Sequence, residues 1–258
     1  MRAVLKHLGL EGMEVHHDAD IPARSGMGTS SAFTVGLLNA CHALLGRRTH
    51  KEDLALEAIH VEQNILKETV GSQDQVAAAF GGLNHITFRD GSGRDAFAVD
   101  RLPLPDGRLD EFHRHLMLVF TRIPRTASEV ADSFVPGLDK NGALSDAARQ
   151  VENAIRILES PGPIEPFGEL LHEAWMAKRG LSAKVSTPEI DGYYSAAREA
   201  GAIGGKLLGA GGGGFLLLFA RPQDHRAIEQ RLGLLRVPFR FEHEGSRVIV
   251  YDPDRDAR

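Results

Sequence analysis

The chain has 258 residues, a hydrophobic fraction of 42% and a formal charge of −5, with a pI near 6.2. This is enough for one large or two small buried cores, with no basic field to draw in nucleic acid or an anionic membrane. Small metabolites are the expected partners. Cys41 is the single cysteine, which excludes an internal disulfide or a multi-thiolate metal site, and the twelve histidines form no H-E-x-x-H pair. No apolar run reaches the roughly 18 residues a membrane span needs, and the N-terminus lacks the pattern of a secretion signal, so a cytoplasmic protein is expected.

In chain order, Met13 to Asp20 alternates weakly and reads as a strand, followed by the glycine turn Ser25 to Ser30 and a helix from Ala32 to Leu45. Thr49 and Glu52 form a capping box for a second helix, whose residues Leu54, Ala58, Val61 and Ile65 share a face, running out near Val70 and Gly71. A short Ala-rich helix, Gln75 to Phe80, stops at Gly81 and Gly82. The strand Leu83 to Phe88, the loop Arg89 to Arg94 and a hairpin ending at Leu102 to Pro105 follow. An apolar strand, Leu116 to Thr121, restarts the pattern. Helices are expected at Ser145 to Glu159, Pro166 to Ser182 and Pro188 to Ala200, strands at Lys206 to Leu208 and Phe215 to Phe219, and a helix at Pro222 to Leu232. Strands at Arg236 to Glu242 and Arg247 to Tyr251 close the series. This order suggests α+β with a split sheet, divided into domains over 1–114 and 115–258.

The stretch Pro22 to Ala32, PARSGMGTSSA, puts two glycines and three hydroxyl residues at a helix start. Free N–H groups and the positive end of the helix dipole favour anions there, and glycine lets the backbone approach phosphate oxygens closely. The stretch has neither the Gly-Lys-Ser/Thr ending of a Walker loop nor the G-x-G-x-x-G spacing of a dinucleotide fold. A plain capping turn reads equally well from these residues alone. Two carboxylates are candidates for chemistry. Glu62 flanks the apolar stripe of its helix, between Ala58 and Leu66, and could point toward the glycine turn or simply into water. Asp74 precedes the Ala-rich helix, where it could equally be an N-cap. The run Gly209 to Gly214 joins two apolar segments and could be no more than a flexible hairpin.

The pattern P-x-x-x-G-M-G-T-S-S resembles the central motif of the GHMP kinases, whose fold has an N-terminal ATP-binding α+β domain and a C-terminal ferredoxin-like α+β domain. The resemblance implies ATP with Mg²⁺ as cofactor. It implies nucleotide contacts from Pro22, Ser25, Gly26, Met27, Gly28, Thr29, Ser30 and Ser31, and a Mg²⁺ site at Ser30 and Glu62. Asp74, in a G-x-x-D-Q segment at the family's spacing from Glu62, is implied as the catalytic base. The glycine run resembles the third motif, so Gly209, Gly211, Gly212 and Gly213 are implied to close over the nucleotide. Residues 73–88 and 185–215 resemble the heptose 7-phosphate kinase branch, which implies phosphorylation of the anomeric hydroxyl of a heptose 7-phosphate. Among Arg122, Arg125, Lys184 and Lys206, all readable as surface charges, Lys206 is singled out for the sugar phosphate. Nucleic acid and membrane are not expected as partners, and a homodimer is admissible. A galactokinase-like enzyme, or a non-catalytic nucleotide-binding module, is the alternative. The family's opening strand and first motif have no counterpart before Met13, and the preferred explanation is a true start upstream. On that basis the 258-residue chain should show low or no sugar turnover and an N-terminally extended version should be active, compared in parallel ADP-release assays.

Overall fold

Three helices of the first unit are organised by their small and branched apolar residues: α2 (Thr29–Leu44), α3 (Lys51–His60) and α4 (Gln73–Phe80). They bury Val35, Leu38, Leu54, Ala58, Val61 and Val76 in one core, joined by the short helix α1 (Arg2–His7) through Val4. The computed structural model describes residues 1–21, 25–124, 130–134 and 142–252. It divides into two compact units, the first of Met1–Ala23, Gly28–Arg101 and Phe241–Arg258, the second of Arg24–Met27 and Leu102–Arg240.

In the first unit a two-stranded antiparallel hairpin, β1 (Asn84–Phe88) and β2 (Phe97–Arg101), follows α4. Residues 242–246 dock on the end of α4. Gly82 N–H donates to the Glu242 carbonyl at 2.7 Å, and Ser246 N–H to the Ala78 carbonyl at 2.9 Å. The approach is so close that a Cβ on Gly81 would sit 2.1 Å from the Gly245 nitrogen.

The second unit holds α5 (Arg108–His115), β3 (Leu116–Phe120), α6 (Ala143–Glu159), α7 (Glu165–Arg179), α8 (Pro188–Glu199), β4 (Ala202–Leu207), β5 (Phe215–Ala220), α9 (His225–Leu232) and β6 (Leu235–Val237). Its sheet has the order β4-β5-β3-β6, antiparallel throughout. With helices inserted between β3 and β4 and between β5 and β6, this is ferredoxin-like topology. Leu216, Leu218, Trp175, Ile190 and Ile228 fill the layer between sheet and helices. The α7 helix lies on β4 through a glycine pair. A Cβ on Gly204 would fall 1.8 Å from the Gly168 carbonyl oxygen, and one on Gly168 would fall 2.7 Å from Ile203 and Phe219 side-chain carbons.

Several expected elements differ. Met13 to Asp20 is not a strand: it forms no backbone ladder among the described residues, and only Val15 within it is even partly shielded. A lone extended segment gains nothing from strand propensity without a partner to take its N–H and C=O groups. Thr49 makes no cap. The helix starts one residue later with His50 in the N-cap position and no side-chain cap bond, so the capping box does not form. The helix also ends earlier, in a π turn at Val61–Ile65, which rotates Ile65 out to 40% exposure. Arg236 to Glu242 yields only the three-residue β6, and Arg247 to Tyr251 enters no strand ladder among the described residues, with Ile249 81% exposed.

The glycine pair sets a stability expectation for the second unit. Gly204→Ala forces α7 away from the sheet and should cost roughly 1–3 kcal/mol or more, read as a lowered midpoint in thermal or urea unfolding, whereas Gly192→Ala, with open space around it, should not.

Candidate active site

The α2 helix begins at Gly28, whose φ of 66° lies in the left-handed region. Two constraints require glycine there. An L side chain is strained at that angle, and a Cβ would lie 3.1 Å from the Asp74 carboxyl carbon and Oδ2. Asp74, in the first turn of α4, is thereby held against the backbone where α2 starts. Gly28 has no side chain with which to cap the helix, so the first-turn amides of α2 stay available to an anion.

Beneath this turn lies Glu62, with 0% exposure. Val61 and Glu62, the first two residues of the π turn Val61–Ile65, are both buried. The Glu62 carboxylate accepts from Ser31 Oγ at 2.8 Å, Thr34 Oγ1 at 2.8 Å, Ser30 Oγ at 3.4 Å and the Gln75 side-chain amide. Ser30, Ser31 and Thr34 all come from the first two turns of α2, Ser30 and Thr34 on one face at i, i+4. Gln63 ties down the segment leading into α4, donating from Nε2 to the Val70 carbonyl at 3.0 Å and Ser72 Oγ at 3.2 Å.

The electrostatics follow from this packing. Burial, and then the Glu62 charge, push the Asp74 carboxyl above the usual aspartate range. The same two causes push Glu68 up. For Asp74 the protonated form is favoured by folding, so its ionised form at neutral pH subtracts from stability.

The sequence-predicted site residues distribute as follows. Gly28, Thr29, Ser30, Ser31, Glu62 and Asp74 come together in the first unit. Ser25, Gly26 and Met27 group with the second unit, the Ser25 hydroxyl buried without a partner among the described residues, and Pro22 lies outside the described residues. Asp74 is not the N-cap of its helix; Ser72 holds that position. Lys206 sits partly buried on β4, where burial pushes its ammonium below the usual lysine range.

The run Gly209 to Gly214 is not a loose hairpin but a held one. Gly212 N–H donates to the Val185 carbonyl at 2.9 Å and Gly214 N–H to the Ile123 carbonyl at 3.1 Å. Lys178 Nζ donates to the Gly209 carbonyl. Cβ atoms on Gly211 and Gly213 would strike the Val185 and Ile123 carbonyls at 2.6 and 2.4 Å. Sequence reading missed Thr34 and Gln75. The signal was present: a hydroxyl one turn beyond Ser30 in an otherwise apolar helix, and a glutamine on the buried side of α4 beside Val76.

The Asp74 environment makes a signed expectation. Asp74→Asn removes a disfavoured charge and should raise the unfolding midpoint at neutral pH. The gain should shrink as pH falls through the raised native pKa and vanish below the unfolded value of about 3.9, followed by thermal unfolding at several pH values.

Residues 1–82 match the sequence profile described as GHMP kinases N terminal domain, and residues 146–233 match that of GHMP kinases C terminal. The D-glycero-alpha-D-manno-heptose 7-phosphate kinase of Campylobacter jejuni is 29% identical over 237 residues, 90% of this chain and 69% of that protein. The mevalonate kinase of Pyrococcus abyssi is 31% identical over 242 residues, 92% of this chain and 69% of that protein. Among solved structures, a D-glycero-D-manno-heptose 1-phosphate kinase from Bacteroides thetaiotaomicron superposes with a TM-score of 0.66 at 25% identity, covering 96% of this chain and 72% of that one. With a helix-start glycine turn, a buried glutamate and an aspartate brought together as described, and with relatives of this kind, the chain belongs to the GHMP kinase family.

Proposed function

We propose that this protein transfers the γ-phosphoryl group of ATP, with Mg²⁺, to a sugar hydroxyl. The acceptor proposed is the anomeric hydroxyl of D-glycero-D-manno-heptose 7-phosphate, giving the 1,7-bisphosphate. The observation that carries the reading is the Asp74 carboxyl packed against Gly28 at the start of α2, a carboxylate beside a helix start suited to phosphate. The choice of sugar leans on the 29% identity to the Campylobacter heptose 7-phosphate kinase.

In this reading the amides of Gly28, Thr29 and Ser30 take phosphate oxygens. Asp74 orients the acceptor hydroxyl and receives its proton as the sugar oxygen bonds to the γ-phosphorus and the bond to the β-phosphate oxygen breaks, releasing ADP. Ser30 and Glu62 suit a hard divalent cation, since both offer oxygen and, among the described residues, no cationic side chain pairs with Glu62. Bound there, Mg²⁺ would offset negative charge on the phosphates. Lys206 and the run Gly209, Gly211, Gly212 and Gly213 keep the roles the family resemblance implies, the former for the sugar phosphate, the latter for the nucleotide. Lys206→Met is then expected to raise KM for a phosphorylated sugar.

The test is ADP release over a panel of heptose and hexose phosphates, run on this chain and on an N-terminally extended version and scored on whichever turns over, with galactose and mevalonate as competitors for the assignment. Heptose 7-phosphate should give the highest kcat/KM. Asp74→Asn should lower kcat by about 10²–10⁴-fold with ATP binding retained. The acid limb of the wild-type profile should lie above the pH of an ordinary aspartate, because the base works only when ionised. Unchanged kcat in Asp74→Asn would remove the base from the mechanism, and preference for mevalonate or galactose would reassign the substrate.

A further inference from the structure

A carboxylate out of contact with water usually meets an arginine, lysine or histidine, because neutral donors compensate its lost hydration only in part. Glu62 meets none of these: among the described residues its partners are three hydroxyls and one amide, all neutral. Those four donors are not equivalent. Ser31, Thr34 and Gln75 are buried and close, whereas Ser30 is exposed and its bond is the long one at 3.4 Å. A carboxylate has about four acceptor positions. Three are firmly taken from the protein interior, and the one on the Ser30 side is weakly held.

Gln75 adds a second, independent observation. Its Nε2 donates to Glu62 Oε2, while its own Oε1 is buried without a partner among the described residues. Rotating the amide would set that oxygen against the carboxylate, so the orphaned carbonyl is the consequence of holding Glu62. A buried unpaired acceptor destabilises the fold. A leucine or methionine at this position of α4 would fill the volume without that cost. What the amide adds is a fixed orientation for the Glu62 carboxylate.

We infer that Thr34 and Gln75 are positioning residues for a divalent cation. From α2 and α4 they clamp the inner face of the Glu62 carboxylate, so that its Ser30 side alone is presented to the ion. This rests on the proposed Mg²⁺ site at Ser30 and Glu62 and extends it to two residues that touch neither nucleotide nor cation. Fixing a ligand through its hydrogen-bond partners typically matters by about 10–100-fold in metal affinity.

The test is Mn²⁺ titration by electron paramagnetic resonance, with and without a non-hydrolysable ATP analogue, on the full chain. Thr34→Val and Gln75→Leu should each raise the Mn²⁺ Kd by about tenfold or more. Nucleotide affinity in EDTA should be unchanged, kcat should recover at saturating Mg²⁺, and Thr34→Ser should restore the wild-type Kd. An unchanged Mn²⁺ Kd in folded Thr34→Val and Gln75→Leu overturns the inference and leaves the two as packing residues. Should Gln75→Leu not fold, the Thr34→Val and Thr34→Ser pair decides. Glu62→Gln separates the two levels: if it weakens Mn²⁺ while the positioning variants do not, only the clamp is wrong, and if it too has no effect the cation site itself is refuted.

Discussion

Removing a carboxylate from water costs several kcal/mol unless other groups replace its hydration, and the first unit is arranged around one such group. Glu62 is buried completely, so the helix that carries it, the helix start that covers it and the helix that faces it must each deliver a donor. This requirement explains features that look unrelated along the chain. Glu62 faces inward at the start of the π turn Val61–Ile65, the hydroxyl cluster of Ser30, Ser31 and Thr34 opens α2, and a glutamine occupies the buried side of α4. Loss of any one leaves a charge or a donor stranded in the core.

The same packing differentiates the two carboxylates. Glu62 is held firmly on three sides by Ser31, Thr34 and Gln75 and is fixed in place. Asp74 rests against Gly28 near a neighbour of like charge, and partial desolvation and that charge both disfavour its ionisation. In the proposed mechanism that difference suits the two groups to different work, Glu62 holding a cation and Asp74 accepting a proton. The second unit relies on another device, backbone contact at glycine. Gly168 and Gly204 let α7 lie directly on β4, and Gly211 and Gly213 let the glycine run settle onto the Val185 and Ile123 carbonyls. Where the backbone itself is the packing surface, side chains are excluded by volume, and glycine is retained for that reason as much as for conformational freedom.

Much of this was legible beforehand. The helices α6, α7 and α8 begin and end within a few residues of where periodicity, proline and glycine place them, because their signals are local. Strands were less so. Met13 to Asp20 and Arg247 to Tyr251 carry strand-like residues, yet among the described residues neither enters a ladder, since strand formation depends on a partner that composition does not reveal. Thr49 and Glu52 match a capping box by spacing, but the first helical residue falls one position later and the reciprocal bonds are out of reach.

By itself, the sequence determined the glycine turn at a helix start, the order and spacing of Glu62 and Asp74, and the α+β succession of elements, because each is written in residues close together along the chain. Only the tertiary structure decided that Glu62 is a buried group with four neutral donors instead of a solvated one, that Asp74 rests against Gly28, and that Thr34 and Gln75 belong to the same cluster. These facts join residues 13 to 46 positions apart, and what joins them is a one-residue irregularity in a helix together with the packing of three helices, neither of which leaves a periodic trace.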